Sequence, residues 1–275
     1  MSNEPVTVLI PCRNKANFLK RTLTNLMAQM QFDQGDEIIV LDNGSTDHLK
    51  MVIDEFVPPV QVHPVPSEGA WMLNTVRNTG IKEAANDLII LFDADTVPQP
   101  ECVDRLRAAA GKGKYVSGLV YYTVPFSIQE KMAKKHGGRA PGFALMRNYD
   151  VDQIVEALSD PEKTRGTFGV NCIFHKDDAY QVGLFDEDYN GGWGYGETDF
   201  ILKLHYNGIE MVHLKKWNPM EGGCVVEHLE PELRKSVKNR RLKEANRNRL
   251  ILLNKIGAYK DRIFPETPEQ YRRTT

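Results

Sequence analysis

Four strand-sized apolar runs, Val6–Pro11, Glu37–Leu41, Val60–Val65 and Leu88–Phe92, are separated in the first hundred residues by segments with a helical period. Phe18, Leu19, Leu23, Leu26, Met27 and Met30 recur at helical spacing after the first run. Leu49, Val52, Ile53 and Phe56 line one helical face after the second, and residues 70–85 read as a third helix. A parallel return needs a helix-length connection, so this alternation predicts an α/β fold with a mostly parallel central sheet and helices on both faces. Ligands of such sheets bind beyond the carboxyl ends of the strands. Those ends carry Pro11-Cys12-Arg13-Asn14, Asp42-Asn43-Gly44 and Asp93-Ala94-Asp95, so three strand ends point to one rim. Asn43 to Asp47 reads as a turn in which Ser45 or Thr46 caps the following helix.

Farther along, Tyr115–Tyr122 and Val170–Phe174 read as strands, Lys176–Val182 as a short helix, and Gly191–Asp199 as a Gly/aromatic loop that opens another helix. Residues 123–165 lack a clear period and read as an irregular insertion or lid within a domain spanning residues 1–231. Residues 232–275 read as a basic helix and tail packed on that domain.

Thirty-five Lys and Arg against 37 Asp and Glu leave a formal charge of −2, so no global field recruits nucleic acid and none is expected as a partner. The charge is segregated: residues 232–249 hold eight basic and two acidic residues, leaving −8 on the rest. A solvated helix face is the simplest reading of that run; an anionic acceptor, a phosphorylated carrier or a peripheral membrane contact are its functional readings. Apolar runs such as Leu88–Phe92 fall far short of the ~20 residues that span a bilayer. Val6–Ile10 is too brief for a signal-peptide core. Cys12, Cys102, Cys172 and Cys224 show neither CxxC nor zinc spacing. A cytoplasmic protein with reduced thiols is expected.

Asp93 and Asp95 lie two apart just past a buried strand, so in extended backbone both carboxylates point the same way. Two convergent carboxylates suit Mg²⁺ or Mn²⁺, whose open positions phosphate oxygens fill, and a nucleoside diphosphate is the natural ligand.

Together Val6–Asn14 (VTVLIPCRN), Glu37–Asp47 (EIIVLDNGSTD), Arg77–Gly80 (RNTG), Phe92–Asp95 (FDAD) and Gly183–Asp199 (GLFDEDYNGGWGYGETD) resemble the family 2 glycosyltransferases of GT-A fold, in that family's order. The resemblance implies a single GT-A-like domain. It also implies an inverting, metal-dependent transfer of a sugar from a nucleoside diphosphate, foremost UDP, to a hydroxyl of a glycan or lipid-linked acceptor. Asp93 and Asp95 match the metal pair, with His228 as third ligand and Mn²⁺ or Mg²⁺ as cofactor. Asp42 matches the acid at the nucleoside base, Pro11 and Arg13 the loop that cradles it, and Arg77 an arginine beside base or phosphates; Asp93 and Ala94 complete the nucleotide contacts. Aligning on Asp199, Phe200 and Lys203 puts Glu197 at the catalytic base, with Asp199 the second candidate, whereas aligning on Gly196-Glu197 puts Thr198 there. Trp193 and Tyr195 read either as acceptor-stacking residues or as packing anchors. Gly196 and Thr198 within the acid motif support an alternative, a non-catalytic glycan- or nucleotide-binding scaffold derived from a transferase.

Overall fold

Successive side chains of a strand point to opposite faces, and β1 (Val6–Cys12), buried along its whole length, divides its residues accordingly. Val6, Val8, Ile10 and Cys12 pack with Leu19, Leu23, Val52 and Ile53 on one side. Leu9 packs with Ile39, Leu41, Val76 and Ile81 on the other. The computed structural model describes residues 4–123 apart from Glu68, and residues 143–145, 151–158, 170–214, 217–218, 222–223, 225–228 and 235–272.

After β1 come α1 (Ala16–Met27), β2 (Glu37–Asp42), α2 (Leu49–Asp54), β3 (Val60–Pro64), α3 (Leu73–Glu83) and β4 (Leu88–Leu91). The chain continues through β5 (Thr96–Pro98), α4 (Cys102–Ala109), β6 (Lys114–Ser117), β7 (Leu119–Thr123), β8 (Phe143–Leu145), α5 (Val151–Leu158), β9 (Cys172–His175) and α6 (Lys176–Gln181). It closes with α7 (Gly196–Tyr206), β10 (Glu210–His213), the short pair β11 (Trp217–Asn218) and β12 (Gly222–Gly223), β13 (Val225–His228) and α8 (Lys235–Lys260). The main sheet runs β10-β6-β9-β4-β1-β2-β3. Its β1–β2, β1–β4, β2–β3 and β6–β10 pairs are parallel, as the periodicity predicts.

The sheet is mostly parallel with one antiparallel strand, and three local features depart from the sequence expectations. β9 is antiparallel to both β4 and β6. The single strand expected over Tyr115–Tyr122 is two: the chain leaves the main sheet at Gly118, and β7 joins a second sheet of order β5-β13-β7-β8. Asn171, fully buried with φ 56°, holds this branch point, accepting from the Gly118 N–H at 2.8 Å through its carbonyl and donating its side-chain amide to the Leu119 carbonyl at 2.7 Å. Ordered pieces lie inside the segment read as irregular, since β8 pairs with β7 and α5 follows; residues 124–142, 146–150 and 159–169 lie outside the described residues. Finally, Ser45 and Thr46 do not cap α2, which starts at Leu49. Asp47 does the work at two helices, accepting from the Leu49 N–H at 3.3 Å and from the Ala16 N–H, at the start of α1, at 3.0 Å.

Gly80 sets how closely α3 lies on the sheet. A Cβ at this position would sit 2.5 Å from Leu41 Cδ1 and 3.0 Å from Leu9 Cδ1, so only glycine lets the helix approach β1 and β2 this closely.

Candidate functional site

The rim at the carboxyl ends of β1 and β2 is organised by asparagine. Asn14, at φ 53°, accepts from the Thr46 N–H at 2.7 Å, and its own N–H donates to Ser45 Oγ at 3.0 Å. Asp42 accepts from the Ser45 N–H at 2.8 Å, while buried Asn43 accepts from the Met72 N–H at 3.0 Å. Arg13 donates to the Gly69 carbonyl at 2.7 Å. Asp42 and Arg13 therefore remain on the accessible rim, whereas Pro11 is buried inside β1.

The Asp93–Asp95 geometry differs from the extended one expected. β4 stops at Leu91, and the chain turns: the Thr96 N–H and hydroxyl both donate to the Asp93 carbonyl, at 3.0 and 2.7 Å. The Ala94 carbonyl accepts from the Thr22 hydroxyl at 3.0 Å, and its side chain is buried. The two carboxylates thus meet different cations, Asp95 the Lys15 ammonium and Asp93 the Arg77 guanidinium at 3.8 Å. Lys15 was not singled out in the sequence; its position just past the β1 terminus is the signal that would have found it.

Arg77 is the centre of the site. It is 1% exposed, projects from α3, and donates to Glu197 Oε1 at 2.7 Å while lying near Asp93. Its guanidinium lies 5.2 Å from the Phe185 ring centroid, a cation–π distance. Burial works against the charge, but Glu197 and Asp93 outweigh it and the Arg77 pKa is raised. A guanidinium this deeply placed lies between two carboxylates and positions them.

Other α3 side chains fasten the segment that leads to Glu197. Asn78 exchanges bonds with the backbone of Phe185, at 2.8 and 2.9 Å, and Asn74 donates to the Asp186 carbonyl at 2.6 Å. Gly196 follows from this packing, because a Cβ there would lie 2.6 Å from Asn74 Nδ2. Of the first four residues of α7, only Glu197 is not buried. Thr198 is 2% and Asp199 0% exposed.

Asp199 is instead an anchor. Its Oδ1 accepts from the hydroxyls of Tyr189 at 3.1 Å and Tyr259 at 2.6 Å, and Lys203, equally buried, lies 3.4 Å from Oδ2. Burial pushes the Asp199 carboxyl up, against the opposing pull of Lys203 and Tyr259. Tyr259 belongs to α8, whose Lys255 pairs with Asp186 and, at 2.6 Å, with Asp188. The helix is thereby clamped over the glycine loop, with Asn248 donating to the Gly194 carbonyl at 2.9 Å. Within that loop Tyr195 is buried with Leu202 and Leu252 and serves as a packing anchor, while Trp193 is 50% exposed.

The residues present fit a divalent cation in their donor chemistry. Asp93 and Asp95 offer hard oxygens, and the Lys15 ammonium shows that a positive charge is accommodated at Asp95. Among the described residues no three His, Cys, Asp or Glu side chains gather into a complete set. His228 ends β13, where its backbone is in register with Thr96, beside Asp95; its side chain lies outside the described residues.

Comparison with known proteins gives a consistent picture. Residues 7–183 match the model of glycosyl transferase family 2. The validoxylamine A glucosyltransferase of Streptomyces hygroscopicus subsp. jinggangensis is 30% identical over 229 residues, covering 77% of this chain and 54% of that protein; the chain thus spans about half the length of this relative. Among solved structures, the mannosyltransferase PcManGT from Pyrobaculum calidifontis, in complex with GDP-Man and Mn²⁺, superposes with a TM-score of 0.62 at 16% identity, covering 93% of this chain and 65% of that one. S. aureus TarS 1–349, in complex with UDP-GlcNAc, gives 0.64 at 12% identity, covering 93% and 66%. At these identities the structural likeness establishes the fold, and the two neighbours hold different nucleotides.

Proposed function

Since the chain belongs to glycosyl transferase family 2, we propose that it moves a sugar from a nucleoside diphosphate, foremost UDP, to a hydroxyl of a glycan or lipid-linked acceptor, with inversion at the anomeric carbon. The observation that carries this reading is the Asp93–Arg77–Glu197 bridge. It joins the acid turn at the β4 rim to the one accessible carboxylate of the α7 start.

Asp93, Asp95 and His228 would hold Mn²⁺ or Mg²⁺, which when bound offsets negative charge on the departing diphosphate. Asp42 and Arg13 frame the pocket for the nucleoside from the ends of β2 and β1, with Pro11 and Ala94 shaping its backbone. Arg77 acts from behind, keeping Asp93 and Glu197 at a fixed separation. Glu197 takes the proton of the acceptor hydroxyl as that oxygen attacks the anomeric carbon. The bond from that carbon to the diphosphate oxygen breaks on the opposite side, and its electron pair leaves with the diphosphate. Trp193, at the mouth, offers an apolar ring face to the acceptor sugar.

A cytoplasmic setting accords with the buried free thiols of Cys12, Cys102 and Cys172. Among the described residues no helix is long and apolar enough to cross a membrane.

Calorimetric titration with UDP, GDP, CDP and dTDP, with Mn²⁺ and again with EDTA, tests the site. One tight, metal-dependent nucleotide supports the donor assignment, and binding by none of them overturns it. Tight binding without transfer to any acceptor would favour the scaffold reading.

A further inference from the structure

We propose that the outward face of α8 docks this protein on an anionic bilayer surface, bringing the Trp193 loop to the headgroup level. The helix buries Ala245, Asn248, Leu252 and Tyr259 against the domain. The opposite face therefore consists of Leu242, Lys243, Asn246 and Leu250, all exposed, while exposed Arg247 beside them reaches back to the Asp188 carbonyl at 2.9 Å. Leu242 is 61% and Leu250 58% exposed, two large apolar side chains two turns apart among cations.

Residues 240–250 hold five Lys or Arg and one Glu. That segment carries +4, which leaves −6 on the rest of the chain. An acidic body with one basic face is turned by an anionic surface so that this face meets it. Leucines beside the cations distinguish a bilayer from a soluble polyanion, which has no use for them, and their mixture with Lys and Arg is that of helices lying in an interface. Trp193 extends the patch: the Arg241 guanidinium lies 5.6 Å from its ring centroid, and tryptophan favours the headgroup region. The same contact places the patch beside the loop that leads into Glu197, so a docked helix would face the site mouth toward acceptors held in the membrane.

The test is co-sedimentation of the full chain with phosphatidylcholine vesicles, with and without a third of phosphatidylglycerol. It requires neither donor nor metal, so its outcome is independent of the transferase reading. Binding is expected on the anionic vesicles alone and should weaken as salt rises. Each basic residue near such a surface is worth about fivefold in binding, so a Lys243→Glu, Leu250→Glu protein should partition at least about 25-fold less. Its melting temperature should be unchanged, because both side chains face water. Failure to bind anionic vesicles, equal binding to neutral ones, or undiminished binding by the double variant would each overturn the proposal. Retention on heparin without vesicle binding would overturn it too and give the face to a soluble polyanion.

Discussion

Asp199→Asn and Glu197→Gln alter neighbouring acids in the first turn of α7, yet the structure assigns them opposite failures. At Asp199 the asparagine keeps an oxygen for the hydroxyls of Tyr189 and Tyr259 but leaves Lys203, 0% exposed, without its counter-charge. Breaking a buried pair from one side costs about 3–5 kcal/mol. Lys203 retains the Leu184 carbonyl at 2.5 Å, which favours the lower end, about 3 kcal/mol. In a chain of this size each kcal/mol moves Tm by about 2–4 °C, so a fall of about 6–12 °C is expected. A stability of about 5–15 kcal/mol leaves that protein folded at room temperature, with turnover per folded molecule near the parent value. At Glu197 the glutamine still accepts from Arg77, Asp93 remains nearby, and the carboxylate is 19% exposed, so the loss is about 1–2 kcal/mol. Turnover, however, should fall by about 10²–10⁴, the worth of a general base. Circular dichroism melts and initial transfer rates separate the two effects. An Asp199→Asn protein that melts like the parent refutes the anchor argument, and if it is also inactive while Glu197→Gln retains transfer, Asp199 takes the role of base.

Tyr259→Phe should cost about 1.5–3 kcal/mol, the worth of a hydrogen bond to a charged group, read as a lower Tm; no change would mean that α8 does not depend on Asp199 for its docking. Gly80→Ala should destabilise by about 1–3 kcal/mol through overpacking against Leu41 and Leu9, despite alanine's better helix propensity, and urea unfolding measures it. Stability should also fall at alkaline pH. Burial pushes the Cys12 and Cys172 thiols up to about 12 from an ordinary 9.0. The unfolded chain therefore loses these protons first, and each thiol removes about 1.4 kcal/mol per pH unit between the two values. Urea midpoints on either side of pH 9 test this, and a flat profile would contradict the burial of the two thiols.

What was legible in the sequence followed from short-range regularity. Strand and helix periods placed β1 to β4 with α1 to α3, and the strand-end rule collected Arg13, Asp42, Asp93 and Asp95 on one rim. What escaped depends on partners distant in the chain. Nothing local distinguishes Asp199 from Glu197; the difference is made by Tyr259, sixty residues on. Gly196 reads as a lost acid in the motif, yet it is glycine because Asn74 presses on it from α3. The change of sheet at Gly118 rests on Asn171, an asparagine in a left-handed conformation that no periodicity announces. Tyr195 and Trp193, two residues apart, differ in which of them α8 and α7 enclose.

The placement of the site is inherited from the way one helix lies on the sheet. Asn74, Arg77 and Asn78 stand at i, i+3 and i+4, so they share a face, while Val76, Gly80 and Ile81 address the sheet. The closeness that Gly80 permits sets the depth of α3, and that depth sets where the Arg77 guanidinium ends. From there Arg77 reaches Glu197 at 2.7 Å and Asp93 at 3.8 Å, while Asn74 and Asn78 fix the Phe185–Asp186 backbone that precedes the acid loop. The Arg-Asn-Thr-Gly run, with Asn74 one turn before it, is therefore a positioning unit: its glycine fixes the helix on β1 and β2, Asn78 and Asn74 hold the incoming loop, and its arginine spaces two carboxylates delivered by chain segments a hundred residues apart. A displacement of α3 would disturb Asp93 and Glu197 together, which neither acid's own surroundings would reveal.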